Sequence, residues 1–298
     1  MFRGFIGIDW SGARGARQPG IQVAQADPGQ RAPATILPAD GRHWGREAIR
    51  DWLLGHVADR CDAPVLVGID FAFAHPFTDE GAYYPGLAGS PPDPAALWAR
   101  VETECCADPH LYGGAMFSAP RLADYYLSPR HLGAPRYRSR RRVTELAARA
   151  AARAPSPTFK AIGADNVATG SMAGMRLIQA LRTALGTHLA VWPFDPVDPQ
   201  RTGGLAMVLV EIFPSFYFHL AGFNPAKSAA ADPVFMSAAL AAYGSAGVAD
   251  DFAPRGSDAD EADALISAAA LRHFAGRADS WTTPPAAASE GWIFGVPD

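Results

Sequence analysis

The tripeptide Gly-Ile-Asp occurs twice, as Gly7-Ile8-Asp9 and as Gly68-Ile69-Asp70, each time closing an apolar run. Phe5 to Asp9 reads as a short strand. Val65 to Asp70, continuous and β-branched, reads as a buried central one. Side chains alternate faces along a strand, so Asp9 shares the face of Gly7 and Asp70 that of Gly68. As parallel neighbours in register, the two backbones would lie about 4.8 Å apart. Both carboxylates would then emerge at the carboxyl ends of the strands, where open α/β sheets place ligands. Two carboxylates so close resist joint ionisation. A divalent cation removes that conflict, because Mg²⁺ takes hard oxygen ligands and keeps waters for reaction. Either aspartate alone would read as a solvated strand end; the duplication in matching context favours a site.

Two further acids are candidates. Asp258-Ala259-Asp260-Glu261-Ala262-Asp263 opens a helical pattern running from Ser257 to Phe274. Asp260 and Asp263 are three apart and share a helix face, and the alanines allow close approach to a sheet. With Ser257 as N-cap, first-turn acids favour the helix dipole, which accounts for Asp258, Asp260 and Glu261 without any function. Asp263 lies deeper among small apolar residues, where an unpaired charge would be costly. Glu211 interrupts the apolar strand Val208-Leu209-Val210-Glu211-Ile212 and needs a metal, a buried ion pair or a backbone donor.

The one local concentration of positive charge is Arg136-Tyr137-Arg138-Ser139-Arg140-Arg141-Arg142. Arg138, Arg140, Arg141 and Arg142 are candidate phosphate ligands, with Tyr125, Tyr126 and Tyr137 as stacking surfaces. The competing reading is a solvated helix start balanced by Glu145. The histidines show no His-x-x-x-His spacing, and no Gly-x-Ser-x-Gly or P-loop pattern occurs, which argues against zinc hydrolases, serine hydrolases and P-loop enzymes.

The elements that must position these residues follow from periodicity. Ile21 to Ala26 alternates as a half-buried strand does, and Ala34 to Leu37 is a third strand, so the chain opens as an antiparallel meander. Ile49, Trp52, Leu53 and Val57 give a helical stripe over 44–57. Met172, Met175, Ile178, Leu181 and Leu185 give another over 171–185. Strand character returns at Leu205 to Phe213. Between them, 77–199 is proline-punctuated with several helical patterns and reads as a helical insertion or subdomain. At 298 residues, 49% hydrophobic and 19% charged, the chain is long enough for a full core. A net charge of -4 supplies no global field for nucleic acid or membrane, so any nucleic-acid contact must be local. The early charge at Asp9 argues against a signal peptide, and no run is long enough to span a bilayer. Cys61, Cys105 and Cys106 suit neither a disulfide framework nor a zinc site, so a reducing cytoplasm is expected.

Three strands, a helix and a buried parallel strand open an RNase H-like domain. The expected fold is therefore α/β, an RNase H-like mixed sheet flanked by helices, in one domain spanning 1–298 with the insertion at 77–199. The order Gly-Ile-Asp-Trp-Ser-Gly, Gly-Ile-Asp-Phe, Glu-Ile-Phe-Pro, then Asp-x-x-Asp-Ala-Leu-x-x-Ala resembles domain-of-unknown-function family 429, predicted RNase H-like nucleases. The last motif also resembles the C-terminal helix of RuvC-type resolvases. The resemblance covers both ends of the chain and leaves the middle unassigned. It implies Mg²⁺ or Mn²⁺ as cofactor, nucleic acid as partner and phosphodiester hydrolysis as activity. Asp9, Asp70 and Asp263 would be metal ligands, with Asp260 and Glu211 as additional acids. The first motif departs from the proofreading exonucleases, having Asp9-Trp10-Ser11 in place of Asp-x-Glu. Two alternatives stand beside it. One is an actin- or sugar-kinase-like phosphotransferase or ATPase, for which Asp9-Trp10-Ser11-Gly12 could serve as a phosphate loop although Asp70-Phe71-Ala72-Phe73 has no glycine. The other is a non-catalytic binding protein of the same fold.

Overall fold

A computed structural model of the chain describes residues 2–29, 31–58, 63–163, 166–254 and 259–298. Its strands are β1 (Gly4–Asp9), β2 (Gln22–Ala26), β3 (Ala34–Ile36), β4 (Val65–Ile69), β5 (Leu189–Val191) and β6 (Met207–Glu211). Its helices are α1 (Arg46–His56), α2 (Pro94–Cys105), α3 (Val143–Ala151), α4 (Ala168–Leu185), α5 (Pro214–Leu220), α6 (Lys227–Ala230), α7 (Pro233–Ala242), α8 (Asp260–Ala275) and α9 (Ala287–Glu290). The strands form one mixed sheet in the order β3-β2-β1-β4-β6-β5. The first three are an antiparallel meander, and β1, β4, β6 and β5 run parallel.

Strand alternation sorts the sheet into two faces. Ile6, Ile8, Val65, Val67 and Ile69 pack with α1, α2 and α4 in one core. Phe5, Leu66, Val208 and Val210 pack with α5, α7 and α8 in the other. The stretch 77–199 therefore supplies a helical layer against the sheet. It also contains β5, so its C-terminal end belongs to the sheet itself. Sequence patterning misses β5 because three residues are too few to show a period. Among the described residues no helix is long and apolar enough to cross a membrane. Cys61 lies outside the described residues.

Gly7 explains how α8 reaches the sheet. A Cβ built there would stand 2.6 Å from the carbonyl oxygen of Ala264 and 2.7 Å from the amide nitrogen of Ala268. The helix backbone thus rests on the strand where a side chain would otherwise be. Gly7→Ala is expected to push α8 outward and cost about 1–3 kcal/mol, the usual penalty of overpacking. Gly4→Ala, whose Cβ would have no neighbour nearer than 4.0 Å, is the control. Urea unfolding of both variants tests this, and equal midpoints would refute the close approach.

Candidate functional site

β1 and β4 are parallel neighbours, with Gly7 opposite Gly68 and Ile8 opposite Ile69. The ladder continues one step further, since the Asp70 amide donates to the Ile8 carbonyl at 3.0 Å. Asp9 and Asp70 are therefore matched positions on adjacent strands, both on the face covered by α8. Asp263 lies in the first turn of that helix, one residue before Ala264, whose carbonyl meets Gly7. The close approach at Gly7 is what lowers Asp263 toward the two strand ends.

Among the described residues no cation answers these charges. Asp9, 8% exposed, accepts one hydrogen bond, from the Trp10 amide at 3.1 Å. Asp70 and Asp263 have no hydrogen-bond donor and no ion pair among the described residues. Burial, then the charges of Asp263, Asp70 and Asp260, raises the Asp9 carboxyl well above its ordinary range. Burial, then Asp263 and Glu211, does the same to Asp70. Asp263 is pushed up to about 7 by burial and the neighbouring Asp260. The three acids are thus in mutual electrostatic reach, and without a counter-ion they hold protons that isolated carboxylates would lose.

Among the described residues no group of three or more His, Cys, Asp or Glu side chains already stands in a geometry that closes on a single ion. Mg²⁺ asks for less than such a cage, binding through one or two carboxylates with waters completing its shell. The donor chemistry fits: hard oxygens, uncompensated, at strand ends.

Glu211 is placed differently. Its neighbours Met207 and Leu209 belong to the core under α1, α2 and α4, so the pleat carries Glu211 to that side. There both its oxygens accept from the Arg142 guanidinium, and Oε2 also accepts from the Phe73 amide at 3.0 Å. Of the readings open in the sequence, the structure shows the buried ion pair and the backbone donor. Arg142 further donates to Glu145 Oε1 at 3.0 Å and to the Glu290 carbonyl at 3.1 Å. Arg142 and Glu145 are buried, so neither belongs to a solvated helix start. Arg140 is likewise spoken for, by Asp79 and the carbonyls of Pro76, Ala82 and Tyr83. Arg141 donates to the Pro155 carbonyl at 2.6 Å, and Arg138 is exposed. Tyr126 is fully buried between His75 and Tyr84 and offers no stacking face, whereas Tyr125 faces Arg136. Ser257 and Asp258 lie outside the described residues; Ala259 precedes the first turn of α8 and supplies no side-chain cap.

A cleft of about 580 Å³ opens at these strand ends. Asp70, Glu211, Arg142 and Glu145 line one part of it, and the loop Trp10-Ser11-Gly12-Ala13 with the start of α4 lines another. Gly12 holds the loop against α4, since a Cβ there would fall 2.1 Å from the Thr169 carbonyl carbon. The Trp10 indole donates to the Gly170 carbonyl at 3.1 Å. Arg153 enters the cleft exposed, with no acidic partner among the described residues. Asp260 lines a separate cleft with Gly20 and Gln22, on the other side of the α8 start. Family models, curated proteins and solved structures give no match to this chain. The site is therefore read from its own geometry.

Sequence reasoning missed Arg153 and the part of Asn166 and Thr169 in the cleft wall. Asn166 accepts from the Thr169 amide at 3.2 Å and so caps the start of α4. The Asn-x-x-Thr spacing before a helical stripe was its signal.

Proposed function

We propose that the chain is a divalent-metal-dependent nuclease of RNase H-like fold, akin to the domain-of-unknown-function family 429 proteins it resembles. The observation that carries this reading is the in-register pairing of Asp9 with Asp70 beneath Asp263, three acids with no cation among the described residues to neutralise them. An antiparallel meander followed by parallel strands, with helices on both faces, supports the RNase H-like assignment. Asp9 and Asp70 would hold Mg²⁺ or Mn²⁺, and Asp263 would close the site from α8. Bound there, the ion would activate a water and stabilise the leaving oxygen of a phosphodiester. The chain's own residues do the rest. Strand register and the close approach of α8 bring the three acids into mutual electrostatic reach, and the Glu211–Arg142 pair fixes the neighbouring end of β6. Arg153 and the start of α4 offer positive potential to a phosphate in the cleft. Asp260, bordering another cleft, tunes Asp263 by charge.

The test is a panel of single- and double-stranded DNA and RNA with Mg²⁺ or Mn²⁺, ATP hydrolysis being measured in parallel. Metal-dependent cleavage that stops in EDTA is the expected result. ATP turnover without cleavage would favour a phosphotransferase of the same sheet. Silence in both assays, with no metal-dependent thermal shift, would remove the catalytic reading altogether.

A further inference from the structure

The run of arginines divides between two clefts. From Arg136 to Arg140 the alternate residues Arg136, Arg138 and Arg140 line a second cleft of about 250 Å³, together with Tyr125, Phe159 and Glu80. Arg141 and Arg142 turn away from it, toward Pro155 and Glu211. Two of the three guanidiniums are fixed before any ligand arrives. Arg140 is 9% exposed, held by Asp79 and three carbonyls, and lies 5.8 Å from the centre of the Phe159 ring. Arg136 lies 5.6 Å from the Tyr125 ring centre and donates to the Tyr125 hydroxyl at 3.0 Å and the Pro85 carbonyl at 3.2 Å. Arg138 donates only to the carbonyl of its neighbour Tyr137 and stands exposed at the rim. Asp79 is matched to Arg140 and Glu80 offsets one further charge, which leaves the cleft net positive on a protein whose overall charge is -4.

We infer that this second cleft grips a backbone phosphate of a nucleic-acid strand whose neighbouring segment enters the first cleft. A forked guanidinium matches phosphate oxygens in pairs. Arg136, held through Nη1 alone, loses little entropy on binding and keeps Nε and Nη2 to donate. Arg138 adds a second fork, and Arg140, its donors engaged, adds charge only. Arg138 and Arg142, which lines the first cleft, are four positions apart, so their backbones are at most about 14 Å apart. A strand a few nucleotides long reaches both. The Tyr125 and Phe159 rings give the cleft an apolar floor that suits a sugar or base edge. This rests on the nuclease reading for the identity of the strand, but it is tested without turnover.

The experiment is anisotropy of a labelled single-stranded 20-mer in EDTA, across a salt series. Each phosphate contact on a single strand contributes about 0.7 to the slope of log K against log salt. Arg136→Gln/Arg138→Gln should lower that slope by about 1.4 relative to wild type, and Arg138→Gln alone, which breaks no contact beyond its neighbour, by about 0.7. Mg²⁺-dependent thermal stabilisation should be unchanged in both variants. An unaltered slope overturns the subsite, as does a wild type that binds no oligonucleotide. Inorganic phosphate that stabilises wild type but not the variants, with oligonucleotide binding equal in all, would assign the cleft to free phosphate and overturn the strand. Arginine-dependent binding without any cleavage would keep the subsite and reject the nuclease. Cleavage with an unaltered slope would do the reverse.

Discussion

Asp70→Asn and Asp263→Asn should each raise the thermal stability of the metal-free protein and shrink its response to Mg²⁺. The carboxyls at this site are raised above their unfolded values by burial and by one another. Such a group contributes stability that is fully present below its unfolded pKa and is lost as pH rises through its folded pKa. For Asp263 that window runs from the ordinary 3.8 to about 7. Metal-free wild type should therefore gain stability on acidification from above pH 7 toward pH 5, against the usual trend for carboxylates paired with cations. Each Asn variant should flatten that gain, because it removes one charge from the cluster while keeping its shape. In wild type, Mg²⁺ a hundredfold above its dissociation constant should add about 2.7 kcal/mol, on the order of 5 °C in a chain of this size. Loss of even an outer-shell partner weakens metal affinity about 10–100-fold, so loss of a ligand should weaken it at least that much and take hydrolysis with it. Differential scanning fluorimetry over pH 5–8, with and without Mg²⁺, reads all of this. Variants much less stable than wild type in metal-free buffer, beside a wild type blind to Mg²⁺, would make these aspartates structural.

The same residues show where sequence was sufficient. Gly7, Asp9, Gly68 and Asp70 were legible because a strand has period two and the repeat fixes both phase and end, so pairing follows once the strands are neighbours. The burial of Asp263 was legible from its alanine surroundings. The arginine segment was not. Its run of charges reads as one surface patch, yet Arg136, Arg138 and Arg140 line one cleft while Arg141 and Arg142 turn toward Pro155 and Glu211. What decides their roles lies far away in sequence: Glu211 is 69 residues from Arg142, and Asp79 is 61 from Arg140. Glu211 had three readings because a lone acid in an apolar strand announces a partner without naming it. Its register opposite Ile69 and the side to which the pleat turns it are tertiary facts.

That buried pair carries the second large effect. Arg142 joins Glu211 at the end of β6, Glu145 in α3 and the backbone of α9 through Glu290, so one guanidinium ties three elements behind the first cleft. Glu290 completes the tie by accepting from the amides of Phe77, Thr78 and Val143. Arg142→Met keeps most of the volume and removes the charge. It leaves the Glu211 and Glu145 carboxylates buried without their cation, and breaking a buried pair from one side typically costs about 3–5 kcal/mol. Arg142→Met/Glu211→Leu removes both partners of the bidentate pair and should recover most of that loss, because replacing a buried pair by apolar groups is often close to neutral. Glu145 still lacks its counter-ion in the double variant, so recovery should be incomplete at pH 8. It should improve as pH falls, since burial already holds Glu145 at about 7 with Arg142 in place and removing the arginine takes away the largest influence that lowers it. Glu145→Gln added as a third change should remove that pH dependence, leaving the cost of the buried Phe73 amide, whose acceptor was Glu211. Urea unfolding of the three variants at pH 8 and pH 6 measures each step. A single-variant loss below about 1 kcal/mol would mean that water reaches and screens these charges, and the floor of the first cleft would then be soft rather than fixed.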